Sequence, residues 1–283
     1  MTIGLIHGII NLMQELKSGD PIPQSGVDMG ATIAWYTINK NIFSDCIPLG
    51  TDSLPFPVTD IQHSALNQEE IAAIVNLFPP QAIARSILQN NGSIIGKPTR
   101  YFAQDATPEK ITTTSEISNA LSPTAIIPSY TDNDRWKETK KPTSDIWLFE
   151  IPNHIDPEVR RIIHAEGLVH ELAHTLVTQI LYSEEYKLKL PSGKIVDGYD
   201  YLINFASAAE KHPPISHYSS FYRKDGEEFK ALPAIDEEIV ETIAAHLLGF
   251  VFCQDEERRL DPLADRREIQ SLIDDFLHVE LVE

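Results

Sequence analysis

The segment GLVHELAHTLVTQIL, residues 167–181, places one carboxylate and two imidazoles in a stretch that is otherwise free of charged residues. His170 and His174 are four residues apart, so on a helix they lie about 40° apart around the axis and their rings can converge. Glu171 stands about 100° from His170, beside the point of convergence. Two neutral imidazoles so placed are ligands for Zn²⁺, and the glutamate can accept a proton from a zinc-bound water. The HELAH motif therefore predicts a zinc-dependent hydrolytic site with Glu171 as general base.

The alternative is that the two histidines form a hydrogen-bonded pair in the core and that no metal binds. Glu171 is the only formally charged residue between Gly167 and Tyr182. Burying an unpaired charge in an apolar environment costs several kcal/mol, and a divalent cation beside the carboxylate offsets that cost. The apolar surroundings of the motif therefore favour the metal site.

A catalytic zinc usually has three protein ligands, so a third ligand must come from another segment. The extended pattern HExxHxxGxxH does not supply it, because Val177 and Ile180 stand where its glycine and third histidine belong. Glu237 and Glu241 are four residues apart in a largely apolar predicted helix, where like charges repel unless a cation compensates them. We assign Glu237 as the third metal ligand and Glu241 as the acceptor that orients one zinc histidine through its other ring nitrogen. Asp197 is the reserve ligand.

In these motifs the sequence resembles the gluzincins, which are zinc metallopeptidases with HExxH on one helix and a glutamate ligand on a later one. The stretch PISHYSS ahead of DEEIVETIAAHL is similar to one in the group of the anthrax lethal factor catalytic domain and the Pro-Pro endopeptidases. In that group a tyrosine precedes the glutamate ligand. The resemblance covers residues 144–250.

The resemblance implies a zincin-like fold, in which a small, twisted mixed sheet packs on the HExxH helix and a helical C-terminal part follows. It also implies an edge strand that aligns the peptide substrate, and SDIWLFEI, residues 144–151, is the candidate for a strand next to the site. Finally, it implies that Tyr218 donates a hydrogen bond to the tetrahedral oxyanion. Tyr222 and His217 are the alternatives for that role.

Caps and apolar periodicity locate the helices that must hold this site. A long helix is predicted to follow the N-cap Asp156 and to run to about residue 183, with apolar residues at spacings of three and four. A second helix is predicted to open at Asp236 and to run through EEIVETIAAHLLGFVF, and a last helix to follow Asp261 and Pro262. The acidic residues after Asp236 could also serve the helix dipole. The stretches LPSGKIVDGYD and EKHPPISHYSS are predicted to be loops.

Short runs rich in β-branched and aromatic residues predict a small sheet ahead of the long helix: SIIGKPTRYFA, TAIIPSY and DIWLFEIP. Further upstream, Asn67 and Glu70 have the spacing of a capping box and open a helix that two prolines end, before a second helix, QAIARSILQ. We therefore expect an α+β protein. Residues 1–92 form a mostly helical and loop region and residues 93–283 a zincin-like catalytic domain, either separate or continuous.

Composition limits the classes of partner. The 283 residues include 42 Asp and Glu against 23 Lys and Arg, and the formal net charge of -19 repels nucleic acid and anionic membranes. Cys46 and Cys253 form no disulfide framework. The N-terminal apolar stretch is predicted to be an amphipathic helix, because it has no basic region and no cleavage site, and no apolar run reaches about 18 residues. We expect a cytoplasmic protein by default, with signal-independent export left open.

These features together predict a zinc-dependent metalloendopeptidase whose partner is a peptide or protein substrate. One alternative is a catalytically silent zinc-binding module with a regulatory or protein-interaction role. Another is a metal-free protein in which the histidines are structural and the acidic surface contacts a protein partner.

Overall fold

The computed structural model of the chain describes residues 54, 57–83, 92–97, 124–128, 144–151, 153, 155–181, 186–216, 219–223, 228–229, 232–249 and 262–282. Tyr218 and His217, two of the three candidates for the oxyanion contact, lie outside these residues. So do Cys46, Cys253 and the predicted N-terminal helix.

A mixed four-stranded sheet precedes the longest described helix in the chain. Its strands are β1 (Val58–Thr59), β2 (Ile94–Lys97), β3 (Thr124–Pro128) and β4 (Ser144–Phe149), in the order β1-β2-β4-β3. The β1–β2 and β2–β4 pairs are parallel, whereas β3 is antiparallel to β4. Each of the three β-branched and aromatic runs contains a strand, so that prediction is confirmed.

The segment predicted to lie next to the site, residues 144–151, contains an interior strand of this sheet. Strand β4 pairs with β2 on one side and with β3 on the other, so both edges of its backbone are occupied. It therefore cannot be the edge strand that the resemblance implies. Among the described residues, the antiparallel edge of the sheet is β3.

The described residues include six α-helices. They are α1 (Gln68–Val75), α2 (Pro80–Ile83), α3 (Pro157–Leu181), α4 (Gly198–Ala209), α5 (Leu232–Leu248) and α6 (Arg267–Phe276). The capping box at Asn67 and Glu70 is confirmed, since each side chain accepts a hydrogen bond from the other residue's backbone N–H. The Asp156 cap is confirmed as well, because its carboxylate accepts from the Glu158 N–H at 2.9 Å.

The loop prediction for LPSGKIVDGYD was wrong for residues 195–200, which belong to a strand and a helix, whereas residues 190–194 form a turn as predicted. Strands β5 (Lys187–Lys189) and β6 (Ile195–Asp197) form an antiparallel hairpin, and β7 (Glu280–Val282) pairs with the other side of β5. Helix α4 follows at once, and Asp197 caps it by accepting from the Asp200 N–H at 3.0 Å. The reserve ligand is therefore an exposed helix cap.

Two predicted helix starts also differ from the structure. Helix α5 begins at Leu232, with Pro233 in its first turn, so Asp236 lies inside the helix. Proline is tolerated in the first turn because the N–H groups there have no partner within the helix. Helix α6 begins at Arg267 after a series of turns over residues 262–265, so it does not start directly after Pro262.

One hydrophobic core joins α1 to the sheet and to α3, through buried residues such as Ile71, Ile94 and Ile162. Two polar contacts reinforce this junction. The buried carboxylate of Glu70 accepts from the guanidinium of Arg161, and the buried His164 ring accepts from a backbone N–H at 2.9 Å. Residues on both sides of the predicted boundary at residue 92 therefore share one core, and the boundary itself stays a prediction.

The described part of the chain combines helices with small sheets, which agrees with an α+β class at that level. The helix α3 packs on the sheet and contacts both β3 and β4. Within the described residues, none of the helices has both the length and the apolar character that crossing a membrane requires.

Gly198 is a position where the fold leaves no room for a side chain. A Cβ built there would lie 2.7 Å from Ile180 Cγ2 and 2.9 Å from the Tyr186 carbonyl oxygen. We expect Gly198→Ala to lower the free energy of unfolding by about 1–3 kcal/mol, because overpacking forces backbone to move. Urea denaturation measures this change. Ser207→Ala, on the exposed side of the same helix, is the control and should stay within about 0.5 kcal/mol of the wild type; equal effects of the two variants would contradict the close approach.

Candidate metal centre

Helices α3 and α5 pack against each other and bring the three predicted metal ligands together. The Nε2 atoms of His170 and His174 are 3.1 Å apart. Glu237 Oε2 lies 3.7 Å from the first and 3.6 Å from the second. Within the described residues, this is the group of histidine and acidic side chains whose atoms converge closely enough to hold one metal ion.

A carboxylate contacts the other nitrogen of each imidazole. His170 Nδ1 lies 2.7 Å from Glu241 Oε1, and His174 Nδ1 lies 3.2 Å from Asp236 Oδ1. Because an ionised carboxylate only accepts hydrogen bonds, each Nδ1 carries the proton and donates it. When such a ring is neutral, its Nε2 lone pair is directed at the centre of the cluster, which is the tautomer that a metal ligand needs.

Asp236 is the residue of this centre that the sequence prediction missed. Its type and position suggested a helix N-cap, whereas the structure places it one turn inside α5. There its Oδ1 accepts from His174 and its Oδ2 accepts from the Thr178 hydroxyl at 3.0 Å. Thr178 belongs to α3, one turn after His174, so this carboxylate connects the two helices beside the cluster. The sequence held one signal for this position: a proline belongs in the first turn of a helix, so Pro233 places the start of α5 before Asp236.

The geometry of the donor atoms fits a divalent cation with nitrogen and oxygen ligands. Around a tetrahedral zinc with bonds of about 2.0–2.1 Å, neighbouring ligand atoms are roughly 3.3–3.4 Å apart. The three separations in the cluster are 3.1, 3.6 and 3.7 Å. Glu237 Oε2 is also buried and has no hydrogen-bond partner among the described residues. A buried carboxylate oxygen is normally paired with a donor or a metal, so this atom could contact a cation or a protonated ring nitrogen at the centre of the cluster.

The electrostatics of the cluster favour positive charge between the rings. Burial by itself would lower the pKa of His170, but the hydrogen bond and the charge of Glu241, together with Glu237, raise it to about 9. Burial opposes the protonation of His174 as well, yet the charges of Glu237 and Asp236 raise its pKa well above the usual value. Either protons on the imidazoles or a bound metal cation can supply this positive charge. A metal supplies it without placing two like charges on adjacent rings.

The remaining described candidates are not among the three side chains that converge in this cluster. Glu171 is buried on α3, with 7% of its surface exposed, one residue after His170. Tyr222 is exposed and follows a short 3-10 turn, Ser219–Phe221. Asp197 is not part of the cluster but caps α4. His246, at the other end of α5, pairs with Asp274 at 3.1 Å.

A scan against protein-family models, a search of curated proteins and a search of solved structures each found no match to this chain. What the centre does must therefore be inferred from its own residues.

Proposed function

We propose that the protein is a zinc-dependent metalloendopeptidase whose metal is held by His170, His174 and Glu237. The observation that supports this most directly is the convergence of two Nε2 atoms on a buried glutamate oxygen that lacks a hydrogen-bond partner among the described residues. Among the described residues three side chains converge, which would leave the fourth position of a tetrahedral site open, the arrangement of catalytic rather than structural zinc. A closed structural site would need a fourth protein ligand.

We also infer a zincin-like fold for the described region. Its support is a mixed sheet with an antiparallel edge strand, which packs on the helix of the HExxH motif, together with a later helix that carries Glu237. Since β4 is interior, β3 is the strand we propose to align the substrate. An extended peptide would add by backbone hydrogen bonds to the edge of β3 that has no partner strand among the described residues.

The proposed chemistry divides between the cation and the protein. Zinc bound at such a site supplies a Lewis acid and lowers the pKa of a coordinated water to about 7. Glu171 takes the proton of the attacking water and passes it to the leaving amine, so that each peptide bond consumes one water. Glu171 is buried, and a cation bound beside it would let this carboxylate both accept and return a proton. The carboxylates of Glu241 and Asp236 hold the two imidazoles in the ligating tautomer.

A hydrogen-bond donor for the oxyanion completes the proposed mechanism. Tyr218 is the candidate from the resemblance, and Tyr222 and His217 are its alternatives. All three lie in the segment between α4 and α5, which also contains the 3-10 turn Ser219–Phe221.

Metal analysis combined with a digestion assay tests the proposal. The purified chain should contain about one zinc per molecule. It should cleave an unstructured protein or a peptide library, and a zinc chelator should stop the cleavage. Stoichiometric zinc without cleavage of any peptide would reject the peptidase and favour the catalytically silent zinc-binding module. Absence of zinc from protein purified and then incubated with zinc salts would overturn both metal hypotheses and leave the structural histidine pair.

Asp236→Ala should weaken zinc binding without preventing it. The substitution removes the acceptor of the His174 Nδ1 proton, and loss of such a partner typically lowers metal affinity by about 10–100-fold. Competition with a chromogenic chelator measures the dissociation constant. Glu268→Ala is the control, because Glu268 is exposed and pairs with Lys211 at the surface. Equal zinc affinity of Asp236→Ala and the wild type would show that this carboxylate does not orient the ring.

A further inference from the structure

Two buried serines connect the segment after α4 to the acidic residues of α5. Ser216 and Ser219 are 3% and 1% exposed, and each backbone N–H donates to the hydroxyl of the other. The Ser216 N–H lies 3.1 Å from Ser219 Oγ, and the Ser219 N–H lies 2.9 Å from Ser216 Oγ. We call this reciprocal pair the serine clamp. The clamp links Ser216 to the first residue of the 3-10 turn Ser219–Phe221.

The clamp fixes the direction of the Ser216 hydroxyl. Its oxygen accepts from the Ser219 N–H, and its single proton is available for an acceptor such as an ionised carboxylate, which cannot donate. Burial raises the pKa of Glu241, but hydrogen bonds from His170 and from the Ser216 side chain lower it below its usual value. Glu241 is itself 4% exposed and lies 2.7 Å from His170 Nδ1. A continuous path therefore runs from the clamp through Glu241 to the His170 ring.

A buried ionic group holds the clamp in place. Glu238, the residue after the proposed ligand, is 1% exposed and accepts from the Ile215 N–H at 3.2 Å. Arg223 lies 3.5 Å from the Glu238 carboxylate and donates to the His212 carbonyl at 2.9 Å. Arg266 lies 3.8 Å from the same carboxylate and donates to the Pro213 carbonyl at 2.8 Å. Backbone groups of residues 212–215 are thus anchored to α5 by charged side chains on three segments.

We propose that Ser216 is a positioning residue of the metal centre, which sets the orientation of His170 by holding the Glu241 carboxylate. This inference rests on the proposed function. A carboxylate buried beside an imidazole can rotate away from the ring unless its second contact restrains it. The Ser216 hydroxyl supplies that contact, and the anchored segment fixes the hydroxyl. Charge-assisted hydrogen bonds of this kind are stronger than neutral ones, which suits them to hold a ligand in one geometry.

A double-mutant cycle on zinc affinity separates this role from a purely structural one. We expect Ser216→Ala to weaken zinc binding about tenfold, and Glu241→Ala to weaken it about tenfold or more. If the serine acts through the glutamate, adding Ser216→Ala to Glu241→Ala should change the affinity by no more than about twofold. The assay is chelator competition on the full chain, with folding checked by circular dichroism. Ser220→Ala, on the exposed side of the same 3-10 turn, is the control and should bind zinc like the wild type.

Two outcomes would overturn the inference while the proposed function stands. One is a Ser216→Ala variant that binds zinc as tightly as the wild type, and the other is a double variant in which the two losses multiply. A wild-type chain that binds no zinc would instead reject the proposed function and this inference together. Should Ser216→Ala not fold, Ser219→Ala replaces it in the cycle. That variant must then weaken zinc binding in the wild type and leave it unchanged in Glu241→Ala, and any other result rejects the role.

Discussion

Glu171→Gln is expected to lower the rate of peptide hydrolysis by about 10²–10⁴-fold and to leave about one zinc per chain. Glutamine has the shape of glutamate but cannot accept the proton of the attacking water at neutral pH. General base catalysis typically contributes about 10²–10⁴-fold to a rate, so kcat should fall by that factor. Because Glu171 is not one of the three ligand residues in the cluster, metal content should not change. Single-turnover cleavage of a peptide substrate and elemental analysis measure the two quantities on the same preparation.

The matched control for this substitution is Glu158→Gln. Glu158 lies in the first turn of the same helix, where its side chain is 46% exposed and pairs with Arg161. Its change of charge is identical, but it should leave both kcat and zinc content at the wild-type level. A fully active Glu171→Gln variant would refute the general-base role, and a zinc-free one would show that Glu171 belongs to the ligand set.

His174→Ala is expected to remove both the metal and the activity. The substitution deletes one of three converging donor atoms and leaves the buried carboxylate of Asp236 without its ring partner. A catalytic metal stabilises a transition state by several kcal/mol, so activity should fall on the order of a thousandfold or more. Zinc content after dialysis should fall from about one per chain to a small fraction. His170→Ala should behave in the same way.

His246→Ala is the control for the loss of an imidazole. His246 lies on α5, as the third ligand does, but it pairs with Asp274 of α6. The variant should keep its zinc and its activity. Retention of stoichiometric zinc by both His170→Ala and His174→Ala would be incompatible with the proposed centre.

The sequence predicted the elements whose signals are local. The Asp156 cap and the capping box at Asn67 and Glu70 depend on residues within a single turn, and both are present. The spacing of His170 and His174 within one helix is likewise a local property, and the rings lie side by side as helical geometry requires. The convergence of Glu237 on these rings depends on how α3 packs against α5, which a single sequence does not encode in any short pattern.

The errors arose where one residue type serves two purposes. Asp236 and Asp197 are both suited to an N-cap, and each was given the wrong role: Asp236 contacts a histidine, whereas Asp197 caps a helix. Only tertiary structure decides between a cap and a partner for a ring nitrogen. Ser216 gave no signal at all, because its contact with Glu241 joins segments that are distant in sequence.

The position of the cluster between two helices has a consequence for the lifetime of the protein. The histidines of α3 and the glutamate of α5 are separated by a long span of chain, so an ion held by both helices acts as a removable cross-link. Any ligand that binds only the folded state raises its stability in proportion to the logarithm of the ligand concentration. Zinc supply would then govern how long each molecule survives proteolysis as well as how fast it works. If the proposed site binds zinc, a shortage of zinc would therefore lower the amount of folded protein as well as any activity that depends on the metal.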